Sequence, residues 1–179
     1  MDFEHFYITW YSRAKYFARE YVLSEEEAEN ITQDVFLDLY QKQVLLGDRL
    51  NGAAYLFTCI KNKCIDYLRH ELLKHEATEK IREESVLSLR MKFDSLESFD
   101  TEWGSEQKLE NAIRQALDSL PGRCREIFIK SKLEGKKHKE IAEEFGISVK
   151  TVENQMTIAY KKLKDELKDY LPFLFFFLS

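Results

Sequence analysis

The chain has 179 residues, of which 44% are hydrophobic and 33% charged, a mixture typical of globular proteins with an apolar core. A net charge of −5 is unfavourable for DNA binding, which relies on lysine and arginine to neutralise phosphates. Three cysteines without a CxxC pair and four dispersed histidines argue against a disulfide framework and a zinc site. The first residues lack the basic and apolar stretches of a signal peptide. We therefore expect no metal, no cofactor and a reducing, cytoplasmic location.

Three helices are predicted in the N-terminal part of the chain. Apolar residues recur every three to four positions in three stretches, at residues 3–21, 25–40 and 53–73. Ser24 precedes three glutamates, which is the pattern of a capped helix start. Two glycines with Asp48 and Asn51 predict a connecting loop over residues 45–52. Together these elements predict one compact helical bundle over residues 1–75.

Residues 76–106 differ from the bundle in composition. Acidic residues outnumber basic ones, serines are frequent and the helical periodicity weakens. This composition predicts an acidic, partly helical linker. Two interpretations stay open, because the segment is either a solvated spacer or a strand of acidic chain that lies in a basic channel of a partner.

A second helical domain is predicted over residues 107–170. Four helical stretches can be read, at residues 109–120, 122–133, 137–145 and 149–169. Pro121, Gly135 and Gly146 interrupt them. The fold class is thus all-α, with two small helical domains joined by the acidic linker. The apolar tail, residues 171–179, is too short to cross a bilayer, which needs about 20 residues, so we expect it to pack within the chain or against a partner.

The spacing of Ala142, Gly146, Ser148 and Val152 predicts a helix-turn-helix. Ala142 is small where two helices cross, Gly146 can adopt a positive φ, and Ser148 can cap the second helix. This second helix would enter the major groove by its N-terminal end. Asparagine there can pair with adenine, glutamate can accept from cytosine, and lysine can bind phosphate. The candidate DNA contacts are Lys150, Thr151, Glu153, Asn154, Thr157 and Lys161.

The C-terminal domain resembles region 4 of bacterial sigma factors. The matching residues are Leu120–Pro121, Arg125, Ile127–Phe128, Glu134–Gly135, Glu140–Ala142, Gly146–Ser148 and Thr151–Glu153. Response-regulator output domains share this pattern, so it does not identify the family by itself. The N-terminal half resembles sigma region 2, through residues 28–40 and then Tyr55–Phe57, Asn62, Ile65–Asp66 and Leu68–Arg69. Two motif sets in this order resemble the extracytoplasmic-function (ECF) subgroup of the sigma-70 family.

The resemblance implies a dissociable specificity subunit of RNA polymerase. Its partners would be core RNA polymerase, through the clamp of the largest subunit and the flap of the second, and promoter DNA. The recognition helix would read the −35 element. The polymerase-binding residues implied are Gln33, Asp34, Leu37, Asp38 and Tyr40. The −10 residues implied are Lys61, Asn62, Lys63, Asp66 and Arg69.

Promoter opening adds a further expectation. A base must leave the stack at a cost of a few kcal/mol, and the predicted loop at residues 45–52 is the candidate pocket for it. Asn62 and Asp66 have an equally good interpretation as structural residues of their helix. The resemblance also implies an anti-sigma factor, often membrane-anchored in this group.

The chain departs from the family pattern at three positions. Asn30 stands where the family usually has aspartate, and Ile158 stands where many members have arginine. Lys137 occupies the position where serine or threonine commonly caps the first helix of the motif. We therefore expect one phosphate or base contact fewer and a first helix without a capping hydroxyl.

Three other functional classes compete with the sigma factor. A helix-turn-helix regulator that is not a polymerase subunit would need a sensing module, which the helical N-terminal half does not resemble. An enzyme is disfavoured, together with a small-molecule substrate, because no Ser/His/Asp set, metal-ligand cluster or glycine-rich phosphate loop is present. An interaction module without polymerase activity stays open.

Overall fold

The computed structural model describes residues 2–42, 49–76, 83–103 and 106–178. Within these residues all regular structure is helical, which confirms the all-α class. The helices are α1 (Phe3–Tyr21), α2 (Glu25–Gln41), α3 (Arg49–Glu76), α4 (Glu83–Trp103), α5 (Glu106–Asp118), α6 (Gly122–Lys132), α7 (His138–Phe145), α8 (Val149–Glu166) and α9 (Leu171–Leu178). A single 3₁₀ turn, Lys168–Tyr170, precedes α9.

Helices α1 and α2 form an antiparallel pair whose apolar faces meet. Ser24 caps α2, because its Oγ accepts a hydrogen bond from the Glu27 N–H at 3.1 Å. Phe6, Trp10 and Phe36 are buried, and the Phe36 ring lies within 6.1 Å of the Phe6 ring centroid. Burial of aromatic area on this scale is the main favourable contribution to the stability of the pair.

Helix α3 begins earlier than the sequence indicates. It starts at Arg49, so the loop predicted over residues 45–52 is wrong for its last four residues; residues 45–48 lie outside the described part of the chain. Gly52, Ala53 and Ala54 are buried in the helix. Helix α3 packs against α1, α2 and α5, and burial of these small residues outweighs the weak loop preference of glycine and asparagine.

The described part of the acidic linker is more helical than the sequence indicates. Residues 83–103 form α4, which packs along α3. Leu89, Leu96 and Phe99 are buried, whereas Asp94 and Glu97 face solvent. These three residues, spaced by seven and then three positions, fall on one face of the helix, and α3 supplies the complementary surface.

Helices α5 to α8 form the second bundle, and α9 packs between the two bundles. The core of this second bundle includes Ile113, Leu117, Ile127 and Phe128. In α9 the side chains of five residues are buried, namely Pro172, Phe173, Leu174, Phe176 and Phe177. The apolar tail therefore packs within the chain, one of the outcomes expected from its composition. No helix in the described ranges is long and apolar enough to cross a membrane.

Candidate nucleic-acid interface

The turn between α7 and α8 has the geometry of a helix-turn-helix. Gly146 ends α7 with a φ of +61°, a conformation that glycine adopts without steric cost. The Ile147 N–H donates to the Ala142 carbonyl oxygen at 2.9 Å, which closes the end of α7. Ser148 then caps α8, because its Oγ accepts from the Thr151 N–H at 3.0 Å. Each predicted turn residue therefore holds its position through a specific local interaction.

One face of α8 anchors it in the second bundle. Val152, Met156, Ala159 and Leu163 recur every three or four residues and are at most 2% exposed. They pack towards α6 and α7. Because this face is fully buried, the opposite face of α8 has a fixed orientation relative to the rest of the bundle.

The opposite face of α8 holds the candidate −35 residues. All six are exposed, namely Lys150, Thr151, Glu153, Asn154, Thr157 and Lys161. Lys150 Nζ lies 3.3 Å from Glu153 Oε2, and both side chains are exposed. Exposed pairs of this kind contribute little to stability, so both groups can exchange partners when DNA approaches. The Thr157 hydroxyl donates to the Glu153 carbonyl oxygen, which turns it back towards its own helix.

Helix α7 is held in place by charged contacts with α6 and the loop that follows it. Lys130 Nζ lies 2.6 Å from one oxygen of Glu144, and Lys136 Nζ lies 2.7 Å from the other. Hydrogen bonds from these two ammonium groups lower the pKa of the Glu144 carboxyl. The Arg123 guanidinium donates to the Phe145 carbonyl oxygen at 3.1 Å. These contacts fix α7 under the recognition helix.

The start of α7 is only half capped. The Lys137 N–H donates to Glu140 Oε2 at 2.8 Å, but an ammonium group has no acceptor with which to return a bond to the helix. We expect Lys137→Ser to complete the capping box and to raise the free energy of unfolding by about 0.5–1 kcal/mol. Thermal unfolding measures this gain. As a comparison, Ser148→Ala removes an existing cap and should lower the free energy of unfolding by a similar amount. If Lys137→Ser leaves the free energy of unfolding unchanged, the prediction is wrong.

The candidate −10 residues lie along α3, and four of the five face solvent. Asn62, Lys63, Asp66 and Arg69 are exposed, with Arg69 Nη1 3.3 Å from Asp66 Oδ1. Lys61 is the exception, because it is only 1% exposed and its Nζ lies 5.8 Å from the centroid of the Phe99 ring. Helix α4 covers Lys61, so in this conformation Lys61 cannot contact DNA. The sequence did not indicate that α4 packs there.

A cleft of about 200 Å³ lies between α2 and α3. Asn62, Lys63 and Asp66 line it together with Asp38 of α2. Three further lining residues, Lys42, Tyr55 and Cys59, are not among the predicted site residues. Tyr55, Cys59, Asn62 and Asp66 recur every three or four positions, so their shared face on α3 was a signal that could have identified two of them.

The candidate polymerase-binding residues form an exposed face of α2. They are Gln33, Asp34, Leu37, Asp38 and Tyr40. Leu37 is 53% exposed and Tyr40 is 64% exposed, values that are high for such apolar side chains. The intervening Val35, Phe36 and Leu39 are at most 3% exposed and belong to the core. Among the described residues no group of histidine, cysteine and carboxylate side chains could hold a metal ion.

The geometry defines a two-module helical protein with a helix-turn-helix in its second module, and comparisons with known proteins identify the family. The model of sigma-70 region 2 matches residues 6–72, and that of sigma-70 region 4 matches residues 110–163. The ferric citrate uptake sigma factor FecI of Escherichia coli (strain K12) is 27% identical over 159 residues, which are 89% of this chain and 87% of that relative. The two matched regions together cover more than half of the chain. The chain belongs to the sigma-70 family and is an ECF-type sigma factor that directs promoter-specific transcription.

Membership accounts for both modules. Sigma factors bind core RNA polymerase and promoter DNA and are initiation factors rather than catalysts. The match over region 2 also accounts for the N-terminal bundle, which a regulator acting without polymerase would leave unexplained.

Proposed function

We propose that this chain binds core polymerase through the exposed face of α2 and reads −35 DNA with the N-terminal half of α8. The observation that carries this proposal is the exposed, capped start of α8. The same chain also has a first module whose helices α2 and α3 present polar and apolar residues to solvent. Asn154 and Lys150 are the leading contacts with a base and a phosphate.

The −10 element is assigned to α3 in this proposal. Asn62, Lys63 and Arg69 supply donors on one exposed stretch. The cleft beside them is lined by polar groups on one part of its surface and by the apolar side chains of Val35 and Leu39 on another. Such a lining suits an unstacked base, whose face is apolar and whose edge forms hydrogen bonds. Because the cleft lies next to the α2 face, base capture occurs close to the polymerase contact in this proposal.

The partners follow from the same assignment. We propose the clamp of the largest polymerase subunit as the site for α2 and the flap of the second subunit as the site for the second module. An anti-sigma factor, often membrane-anchored in this group, is the proposed inhibitor. The chain acts in the cytoplasm, without catalytic activity and without a small-molecule substrate.

Transcription from genomic promoter fragments by purified bacterial core polymerase tests the proposal. We expect transcripts from defined start sites only when this protein is added, and aligned upstream sequences then give its −35 and −10 elements. Core that binds the protein without starting transcription would indicate an interaction module. If core polymerase does not bind the protein, the proposal is wrong.

The polymerase-binding face can be tested with one charged substitution. We expect Leu37→Asp to weaken binding to core polymerase at least roughly tenfold, because a carboxylate at a desolvated apolar contact loses hydration without gaining a partner. Leu23→Asp is the matched control, since Leu23 is 56% exposed but lies outside the proposed face. Fluorescence anisotropy of the labelled chain titrated with core measures both, and equal affinities would remove Leu37 from the interface.

A further inference from the structure

Helix α9 packs against both DNA-binding modules at once. The Phe176 ring stacks on Trp10 of α1 with centroids 5.6 Å apart and an interplanar angle of 11°. The Phe173 ring meets Phe57 of α3 at 5.1 Å, edge to face. On the other side, the Phe177 ring lies 5.8 Å from Phe128 of α6. Residues of α9 therefore complete a single aromatic cluster that neither module forms alone.

Polar contacts join the two modules at the same junction. Arg13 Nη1 of α1 donates to the Lys132 carbonyl oxygen at 2.6 Å, and His5 Nε2 donates to the Glu134 carbonyl oxygen at 3.0 Å. Helix C-termini leave carbonyl groups without partners in the helix and attract cations, so α1 of the first module caps α6 of the second. Lys132 Nζ in turn donates to the Leu178 carbonyl oxygen at 2.9 Å, which ties the end of α9 to α6.

The same packing reaches a candidate −10 residue. Tyr170, directly before α9, lies 6.0 Å from the Phe99 ring of α4. Phe99 in turn covers Lys61. Tyr170 therefore links the segment before α9 to the part of α4 that lies over Lys61.

A chain held in this way is too short to contact both promoter elements together. Its accessible surface of 10405 Å² lies near the value of about 9,100 Å² expected for a compact monomer of this mass. A compact chain of this length has a radius of gyration of about 16 Å and measures about 40 Å across. By their numbering, positions −35 and −10 are about 25 base pairs apart, which is about 85 Å of duplex at about 3.4 Å per base pair.

We propose that α9 is an intramolecular latch that holds the two DNA-binding modules of the free chain closed and must leave the aromatic cluster before both promoter elements are bound. This inference rests on the proposed function for its consequence at the promoter, but the closed state itself is a property of the free chain. Opening exposes Trp10, Phe57 and Phe128 as well as α9. Polymerase must therefore cover this apolar surface when it binds, or offset the free-energy cost of exposing it.

Small-angle X-ray scattering of the free, full-length chain tests the latch. We expect the double variant Phe176→Ala with Phe177→Ala to raise the radius of gyration by roughly a quarter or more over the compact value, with helix content by circular dichroism retained. Phe175→Ala is the matched control, because Phe175 lies on the same helix but is 59% exposed. A double variant as compact as the control would overturn the proposal.

A reversible cross-link tests the consequence and does not depend on the variants of α9. A Cβ built at Gly135 would lie 3.8 Å from the Thr9 Cβ, the usual separation of about 3.8 Å in a disulfide. The pair Thr9→Cys with Gly135→Cys would therefore lock α1 of the first module to the α6–α7 loop of the second. Because Gly135 has a φ of +68°, the reduced double variant, which carries the same backbone strain, is the reference.

We expect the oxidised lock to support transcription with core polymerase at least roughly tenfold less than its reduced form. The two single-cysteine variants, which cannot form the bridge, control for oxidation of other thiols and should be unaffected. Equal transcription from the oxidised and reduced forms would overturn the latch as an inhibitory contact. If the wild-type chain directs no transcription, the proposed function fails, and the scattering comparison still decides whether α9 closes the free chain.

Discussion

Replacing Phe36 with alanine is expected to lower the free energy of unfolding by about 3–5 kcal/mol. Phe36 is 3% exposed, and its ring lies within 5.0 Å of the Tyr7 centroid and 5.9 Å of the Tyr11 centroid. The substitution removes buried apolar area and leaves a cavity between α1 and α2 that these large rings cannot fill by small shifts.

The adjacent residue provides the matched control for this prediction. Leu37 is 53% exposed on the solvent-facing side of α2, so Leu37→Ala should change the free energy of unfolding by no more than about 0.5 kcal/mol. Urea unfolding followed by circular dichroism measures both variants. Similar midpoints for the two would mean that α2 does not pack as described, and the assignment of Leu37 to the polymerase-binding face would be lost with it.

Replacing Asn154 with alanine is expected to weaken binding of the holoenzyme to its own promoter by about 1–3 kcal/mol, or roughly 5–150-fold. The residue is exposed on the second turn of α8, whose opposite face is fixed by Val152 and Met156. A carboxamide there can donate to and accept from one adenine edge in the major groove, and alanine can do neither.

The pattern of loss across promoter variants distinguishes a base contact from a phosphate contact. If Asn154 contacts an adenine, the Asn154→Ala variant should lose discrimination at one base pair of the −35 element and keep it elsewhere. Lys161→Ala should weaken binding to every promoter variant alike and reduce the salt dependence. Asp165→Ala, exposed in the last turn of α8, is the control on the same helix. Unchanged discrimination at all −35 positions would refute the base contact.

The N-terminal bundle and the helix-turn-helix follow from local rules. Helical periodicity and a capping serine set α2 from Glu25, and Gly146 with Ser148 sets the turn before α8. These signals act within a few residues along the chain, so a single sequence is enough to read them. The exposed face of α8 follows in the same way, because the buried residues of an amphipathic helix determine which side chains point outward.

The early start of α3 and the burial of Lys61 depended on contacts that no local pattern encodes. Gly52 and Asn51 favour a loop in isolation, but burial of the start of α3 in the tertiary structure keeps this segment helical. The resemblance implies Lys61 as a −10 residue, yet Phe99, 38 residues later in the chain, covers it. Long side chains bury their aliphatic stems readily, so charge alone does not determine exposure.

The sequence by itself determined the family, the two modules and the residues that face outward on the recognition helix, because these depend on periodicity, caps and short motifs. Only the tertiary structure decided where the apolar tail packs, since any large apolar surface can bury a run of leucine and phenylalanine and the hydrophobic effect is non-directional. The aromatic partners of α9 are Trp10, Phe17, Phe57 and Phe128. They lie more than 40 residues away along the chain, and only the fold brings them to one place.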